Sequence, residues 1–388
     1  MALALTLIPV SAISAQKITP GSTCKVLGQK IVYQKKTYTC IKSAKKLVWS
    51  KGIETVKAEN LPDAIPQVPT SFSNLSANLR GISYGAWLKS KANSLSSNSV
   101  LGKLTVLVGP NTNGNNLLAG TGPGSLEERR IGLELASKLY SDFDQVKNVT
   151  VIYYSFTDVA WAQSQYDIFC GGSQNCDNPK IASASCPSPS PCWGGTAGIN
   201  GSNEGFLFLT VGDKGTYYQG GSLEAHEYTH VIQQNLFNPV GSRNIPMVRS
   251  ENVPRWLSEG SAEWSQIASV FNSDYKTYMR ERLIGFSFGD YYSNPSTYSV
   301  EWLKMFFDVT PGKNRDKYAG SNNQIGFLAS EVLVSLKGPN GLMNLFRFMG
   351  EGQSFESAFK SEYGKSWLEA IPYMAEAISG QLQEKITS

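Results

Sequence analysis

The chain has 388 residues, of which 41% are hydrophobic and 17% are charged, and its formal net charge is +4. This length can bury one large core and carry an accessory module, and the composition excludes a disordered chain. Six cysteines, an even number found in clusters, are typical of an exported protein with disulfides.

Residues 1–15 are apolar and end in small residues, a pattern that predicts a signal peptide. The stretch is too short to span a bilayer. It also lacks the basic residues with which a signal peptide normally begins, so a truncated signal peptide is expected. An apolar first strand is the alternative interpretation. Together with the cysteine count, a signal peptide indicates a secreted or cell-surface protein.

Residues 16–52 predict a small β module, stapled by a disulfide, in which Cys24 and Cys40 flank a strand, a turn and a second strand. Residues 1–53 carry nine lysines and no aspartate or glutamate, whereas the rest of the chain has 31 acidic residues and 26 basic ones. The asymmetry indicates docking on an anionic cell-wall or membrane surface, and a solubilising basic face is the alternative. Nucleic acid is not expected, because no arginine-rich stripe accompanies the lysines.

Residues 53–72 contain three prolines and predict a linker, after which residues 73–388 form the main domain. The apolar periodicity of this domain predicts both helices and strands. Helices are expected at residues 75–92, 125–143, 322–336 and 342–349, and strands are expected at residues 104–109, 149–154 and 205–211.

Four further cysteines lie in a loop rich in glycine, serine, proline and asparagine: Cys170, Cys176, Cys186 and Cys192. Their spacing lacks the C-x-x-C knuckles that are usual in a four-thiolate zinc site. Two disulfides are therefore the favoured interpretation, and a zinc site is the alternative. Three pairings are possible, and the spacing does not choose among them.

The chain contains two histidines, His226 and His230, and both belong to the stretch H-E-Y-T-H. Positions four apart lie on one face of a helix, so both imidazoles can bind one metal ion, and zinc suits such ligands. Glu227 lies close by on the same helix, where it can act on a water molecule at an open metal position. Ser222 is expected to open this helix and Pro239 to end it.

The third ligand has to be a carboxylate or a cysteine, because the chain has no further histidine. Glu259 and Glu263 are the best candidates. They lie four residues apart in W-L-S-E-G-S-A-E-W, which predicts a helix with both acids on one face. One acid can bind the metal while the other holds a ligand imidazole through its free N–H. A solvated acidic helix face is the alternative.

The combination of H-E-x-x-H with W-L-x-E-G-x-A-E and a following aromatic residue resembles the gluzincin metallopeptidases, the group of thermolysin and aminopeptidase N. The resemblance implies an α+β fold: a zincin-like domain with a mixed sheet, an H-E-x-x-H helix and an all-helical C-terminal part. It implies that Glu259 is the third zinc ligand, that Glu263 supports a ligand histidine and that Tyr318 stabilises the oxyanion. It also implies that the strand at residues 205–211 is the open sheet edge that aligns an extended substrate.

These features predict a zinc-dependent peptidase that acts outside the cell on peptide or protein substrates, with Zn2+ as its cofactor. Glu227 is expected to take the proton of the attacking water and later give it to the leaving amine. Two alternatives stay open: a zinc hydrolase of a non-protein substrate, and a non-catalytic zinc-containing protein of the cell surface.

Overall fold

The computed structural model of the chain describes residues 19–25, 27, 30–33, 36–43, 46–51, 53–54, 65–112, 125–171, 180–189, 192, 194–211, 219–237, 247, 250–285, 298–314 and 316–383. The predicted signal peptide at residues 1–15, together with Cys176 and Pro239, lies outside the described residues. The chain divides into two compact units, Met1–Asn60 and Leu61–Ser388.

The described residues of the first unit form a four-stranded antiparallel sheet in which the second strand pairs with the other three. Its strands are β1 (Lys30–Tyr33), β2 (Lys36–Ser43), β3 (Lys46–Trp49) and β4 (Ile53–Glu54). A disulfide joins Cys24 to Cys40 with a Cα–Cα distance of 5.8 Å, which confirms the expected staple. Both cysteines pack with Tyr38 and Trp49 in a small buried cluster. Because β4 lies beyond residue 52, the sheet continues into the segment predicted as a linker.

The described residues of the second unit include four strands of one mixed sheet: β5 (Lys103–Val108), β6 (Asn148–Tyr154), β7 (Gly195–Ile199) and β8 (Gly205–Thr210). Their order in the sheet is β5-β6-β8-β7. The strands β5, β6 and β8 are parallel, whereas β7 runs antiparallel to β8. The expectation that residues 205–211 form an open edge is therefore wrong, because β8 is paired on both sides. Among the described strands, β5 and β7 are the edges. Strand β7 was not predicted from the sequence, because its two glycines interrupt the apolar pattern of a strand.

Helices surround the sheet and build the rest of this unit. In the described residues they are α1 (Leu79–Ser96), α2 (Leu126–Leu139), α3 (Val159–Cys170), α4 (Ile181–Ser185), α5 (Ser222–Phe237), α6 (Arg255–Val270), α7 (Tyr275–Gly285), α8 (Val300–Val309), α9 (Ala319–Gly350), α10 (Phe355–Tyr363) and α11 (Trp367–Gln383). Helix α9 breaks at Gly338, where φ is 78° and Pro339 follows, so it comprises the two helices predicted at residues 322–336 and 342–349. A mixed sheet followed by helices agrees with the coarse fold expectation.

The sheet is covered on both faces, which explains the continuous apolar runs of its central strands. Successive side chains of a strand point to opposite faces. Val151 and Tyr153 of β6 belong to the main hydrophobic core, which also contains residues of α2 and α5. Ile152 and Tyr154 belong to a second cluster with residues of α3 and α4. Helix α5, which carries both histidines, therefore rests on the core side of the sheet.

An aromatic cluster surrounds the first turn of α6. Trp256 stacks on Trp367 of α11 with ring centroids 5.0 Å apart, and the rings of Phe307 and Phe355 meet it edge-on. Aromatic pairs of this kind stabilise a fold by about 0.5–1.5 kcal/mol each beyond the area that they bury. These contacts hold the start of α6, three residues before Glu259, against the C-terminal helices.

The segment between α3 and β7 is cross-linked by disulfides. Cys186 is joined to Cys192, and Cys170 is also disulfide-bonded. The alternative of a four-thiolate zinc site is therefore wrong, because a metal needs free thiolates. Disulfides persist in oxidising compartments, which agrees with the expectation of an exported protein. Among the described residues, no helix combines the length and the apolarity needed to cross a membrane.

Candidate metal centre

Helix α5 directs both histidines to one point. His226 and His230 are one turn apart, and their Nε2 atoms are 3.2 Å from each other. The two rings are nearly perpendicular, with centroids 4.9 Å apart. The chain enters this helix through Gly220 and Gly221, whose φ values of 72° and 77° are strained for any residue with a side chain. The two glycines allow a sharp entry, after which α5 packs against α2, α6 and β7.

Helix α6 brings a carboxylate to the same point. Glu259 Oε2 lies 3.6 Å from His230 Nε2 and 4.0 Å from His226 Nε2. The three side chains form a group whose potential ligand atoms all lie within 4.8 Å of one another. Two helices that are separated along the chain therefore supply one cluster of metal-binding atoms.

The spacing of these three atoms suits one small cation. Around a tetrahedral zinc ion with ligands at about 2.0–2.1 Å, neighbouring ligand atoms are about 3.3–3.4 Å apart. The observed separations of 3.2, 3.6 and 4.0 Å lie within about 0.6 Å of that range, so small movements of the side chains would bring all three atoms to the zinc–ligand distance. Two imidazoles and a carboxylate are also a donor set that leaves zinc one open position. The residues therefore fit the ion.

The three groups are coupled electrostatically. Burial works to lower the pKa of His230, but the contact with Glu259 and its negative charge raise that pKa to about 9. Burial works to raise the pKa of Glu259, but His230 and His226 bring it down to about 2. Burial and the charge of His230 lower the pKa of His226 to about 3. Glu259 therefore favours the protonated form of His230, and a divalent cation that bound there would displace that proton.

Glu227 lines the same cavity and faces the edge strand β7. A Cβ atom on Gly195 would lie 2.7 Å from Glu227 Oε1 and 2.8 Å from its Cγ, so glycine is the residue that leaves room for this carboxylate. Burial raises the pKa of Glu227 to about 8, with His230 opposing the shift and with Glu259 and Glu263 adding to it. A nearby cation would favour the ionised form, which is the form that accepts a proton.

Glu263 lies one turn beyond Glu259 on α6 and faces the other nitrogen of His226. Its Oε2 is 3.8 Å from His226 Nδ1, within ion-pair range but beyond hydrogen-bonding distance. Asn323 Nδ2 donates to Oε1 at 2.8 Å, and Gln266 Nε2 donates to Oε2 at 2.6 Å. Burial raises the pKa of Glu263 to about 7. The support predicted for a ligand histidine therefore concerns His226, and that role stays a prediction.

One cavity of about 280 Å³ connects these side chains. Residues 194–197, at the start of the edge strand β7, form one wall, and residues of α5, α6 and α9 form the others, together with Met247. Among the described lining residues, three are glutamates and none is a lysine or arginine. A cation bound in the cavity would favour the ionised form of these carboxyl groups and lower the pKa values that burial raises at Glu227 and Glu263.

Tyr318 is not among the described residues that line the cavity. Its ring packs against Trp302 and Phe306 of α8, and its hydroxyl donates to Met305 Sδ at 3.7 Å. The structure thus brings five of the six predicted site residues to one cavity and leaves Tyr318 apart. Its role as an oxyanion donor stays a prediction, and the contacts of the hydroxyl do not favour it.

Three polar residues of the site were not predicted as site residues from the sequence: Gln233, Gln266 and Asn323. Gln233 contacts His230, whereas the other two hold Glu263. Each glutamine follows its partner by three residues on the same helix, so helical spacing was the signal that could have found it. Asn323 reaches Glu263 from 60 residues away, and no local pattern indicates that contact.

Comparisons of the chain with protein-family models, with curated proteins and with solved structures find no match. The resemblance to gluzincins therefore stays at the level of the two motifs. Function has to be inferred from the residues of the cavity and their arrangement.

Proposed function

We propose that this protein is a zinc-dependent peptidase with a zincin-like active site, which hydrolyses peptide bonds outside the cell. The observation that carries the proposal is the meeting of His226, His230 and Glu259 at a spacing suited to zinc, with the carboxylate of Glu227 in the same cavity. A zinc site that only stabilises a fold is closed by four protein ligands and has no use for such a carboxylate. Glu227 therefore favours an enzyme over a non-catalytic zinc protein.

Each side chain has a separate task in this mechanism. His226, His230 and Glu259 would hold the ion, and bound zinc supplies Lewis-acid chemistry that polarises a carbonyl and makes water more acidic. Glu227 accepts a proton from the attacking water at its carboxylate and later gives that proton to the leaving nitrogen of the cleaved bond. Gly195 leaves room for the carboxylate of Glu227, because a Cβ atom at this position would lie 2.7 Å from its Oε1.

The edge strand β7 supports a peptide as the substrate. Among the described residues β7 pairs with β8 alone, and residues 194–197, at its start, line the cavity beside Glu227. An extended peptide can pair with such an edge through main-chain hydrogen bonds.

Cleavage of casein and of a peptide library by the zinc-loaded protein, with and without a chelator, tests the proposal. Glu227→Gln keeps the shape of the side chain and removes its carboxylate, so we expect zinc to be retained and turnover to fall by about 10²–10⁴-fold. Glu134→Gln is the matched control, because Glu134 lies on α2 and does not line the cavity. We expect this control to cleave at the wild-type rate.

Two results would contradict the proposal. Zinc-loaded wild-type protein that cleaves no peptide would reject the activity while leaving the metal site intact. Glu227→Gln protein that turns over at the wild-type rate would reject the role given to this carboxylate. Cleavage of non-protein esters or amides alone would instead support the alternative of a zinc hydrolase with another substrate.

A further inference from the structure

Gln233 lies on α5 one turn after His230 and is completely buried. Its Oε1 is 2.8 Å from His230 Nδ1. Its amide nitrogen donates to the backbone oxygen of Ser258 at 3.0 Å and to Ser261 Oγ at 2.8 Å. Burial of an amide is unfavourable unless its polar atoms are bonded, and here both ends of the amide have partners. This one side chain therefore joins α5 to α6 at the residue that precedes Glu259.

The direction of the Gln233 amide follows from its neighbours. Ser261 donates its hydroxyl proton to Leu257 O at 2.5 Å, so Ser261 Oγ is left to accept from Gln233. The backbone oxygen of Ser258 can only accept. The amide nitrogen must therefore face α6, and the amide oxygen must face His230. An oxygen at this place accepts the proton on Nδ1 and leaves Nε2 of His230 directed at the metal centre.

We propose that Gln233 is a positioning residue of the metal centre, which sets the ring orientation and tautomer of His230 and connects that ligand to the helix that carries Glu259. The inference rests on the proposed function, because it assigns Gln233 a role in the zinc site. A glutamine that only connected two helices would need no contact with an imidazole. Gln233, in contrast, directs its amide oxygen at the imidazole of His230. Removal of such outer partners typically weakens metal binding by about 10–100-fold.

Zinc affinity, measured by competition with a chelating indicator, tests the role without any need for catalysis. Gln233→Met removes the acceptor and both donors but keeps an unbranched side chain, and we expect it to weaken zinc binding by about 10–100-fold. Gln381→Met is the matched control. Gln381 is also buried, but it donates to Glu331 Oε2 at 3.3 Å and does not line the cavity. We expect its zinc affinity to stay within about twofold of wild type, since distant sites act independently.

Two further measurements separate positioning from general structural support. Gln233→Glu keeps an acceptor for His230 and loses the donor to α6, so its zinc affinity should lie closer to wild type than that of Gln233→Met. Because the chain has two histidines, 15N-histidine NMR of the zinc-loaded protein shows two imidazoles. We expect the Nδ1 proton of His230 to exchange slowly with water and to contact the Gln233 amide. Gln233→Met should lose this signal while His226 keeps its own.

The outcomes distinguish this inference from the proposed function. Wild-type zinc affinity in a folded Gln233→Met protein overturns the inference and leaves the peptidase proposal standing. If the variant does not fold, NMR of the wild-type protein decides: a rapidly exchanging Nδ1 proton at His230, without contact to Gln233, overturns the inference. Wild-type protein that binds no zinc overturns both.

Discussion

The backbones of Gly260 in α6 and Gly326 in α9 are in direct contact. A Cβ atom on Gly260 would overlap the backbone of Gly326, and one on Gly326 would lie 2.8 Å from the Cα atom of Gly260. Neither residue has a positive φ angle, so space rather than backbone conformation requires glycine here. Gly260 directly follows Glu259, the candidate for the third metal ligand. The close contact between α6 and α9 therefore positions the backbone next to that ligand.

Gly326→Ala should force α6 and α9 apart. Overpacking of this kind typically costs about 1–3 kcal/mol, and the same shift should move Glu259 and weaken zinc binding. Urea unfolding and zinc competition measure the two effects. Gly380→Ala is the control, because the atoms nearest to a methyl group there belong to the side chain of Leu79, the closest at 2.7 Å, and that side chain can rotate away. Equal stability of the two variants would contradict the expectation.

Glu259→Gln should remove the charge of the third ligand while keeping its size. We expect the zinc dissociation constant to rise by more than about 100-fold, because loss of even outer partners costs about 10–100-fold. Elemental analysis after dialysis and chelator competition measure the change. Glu281→Gln is the control, since the exposed fractions of the two side chains are similar, 25% for Glu259 and 20% for Glu281, and Glu281 pairs with Arg280 instead. Stoichiometric zinc in dialysed Glu259→Gln protein would contradict the assignment of Glu259 as a zinc ligand.

Gly195→Ala should displace Glu227 and spare the metal ligands. The added methyl group would lie 2.7 Å from Glu227 Oε1, and a misplacement of about 1 Å in a catalytic group can cost about 10²-fold in rate. We therefore expect a large fall in kcat with zinc affinity unchanged. Gly198→Ala on the same strand is the control, because its methyl group would meet the ring of Phe206 at 2.9 Å instead. Equal activity of the two variants would show that Gly195 does not position Glu227.

Tyr318→Phe tests the oxyanion role that the family resemblance implies. The variant keeps the ring that packs on Trp302 and removes the hydroxyl that contacts Met305. Since that hydroxyl does not line the cavity, we expect kcat to stay close to wild type. An oxyanion donor would instead cost about 10²–10³-fold in kcat on removal. A loss of that size, with zinc retained, would restore the role predicted from the sequence.

We also propose that the lysine-rich first unit holds the protein on an anionic surface. Four exposed lysines of this unit are described: Lys25, Lys42, Lys46 and Lys51. Near an anionic membrane each lysine contributes roughly 1 kcal/mol to binding, so changing all four to glutamine should weaken binding to anionic vesicles at least tenfold. Sedimentation of the full-length protein with vesicles, at low and high salt, measures the effect.

The control for this experiment changes the same number of exposed lysines in the second unit: Lys103, Lys147, Lys276 and Lys360. We expect this variant to sediment with vesicles as the wild type does. If both variants lose binding equally, net charge rather than the first unit is responsible. If neither variant loses binding to the vesicles, the lysines of the first unit do not dock the protein, and the alternative of a solubilising basic face is favoured.

Several elements could be predicted because their signal is local. Positions four apart share a helix face whatever surrounds them, so the pairing of His226 with His230 follows from spacing. Strands buried on both faces show continuous apolar runs, and β6 and β8 were placed within one residue of their observed bounds. Helix α1 was expected to start at residue 75 but starts at Leu79, because short 3-10 turns occupy residues 72–74 and 76–78.

By itself, the sequence determined that one helix presents the imidazoles of His226 and His230 and the carboxylate of Glu227. The helical period alone sets the direction of each side chain around the helix axis. Helical spacing puts Glu259 and Glu263 on one face and does not distinguish them. Only the tertiary structure decided that Glu259 faces the Nε2 atoms of both histidines, whereas Glu263 faces Nδ1 of His226. It also decided that β7, and not β8, lies at an edge of the described sheet, and that Gln233 connects α5 to α6. Strand pairing and helix contact join residues that are distant along the chain, and no local pattern carries that information.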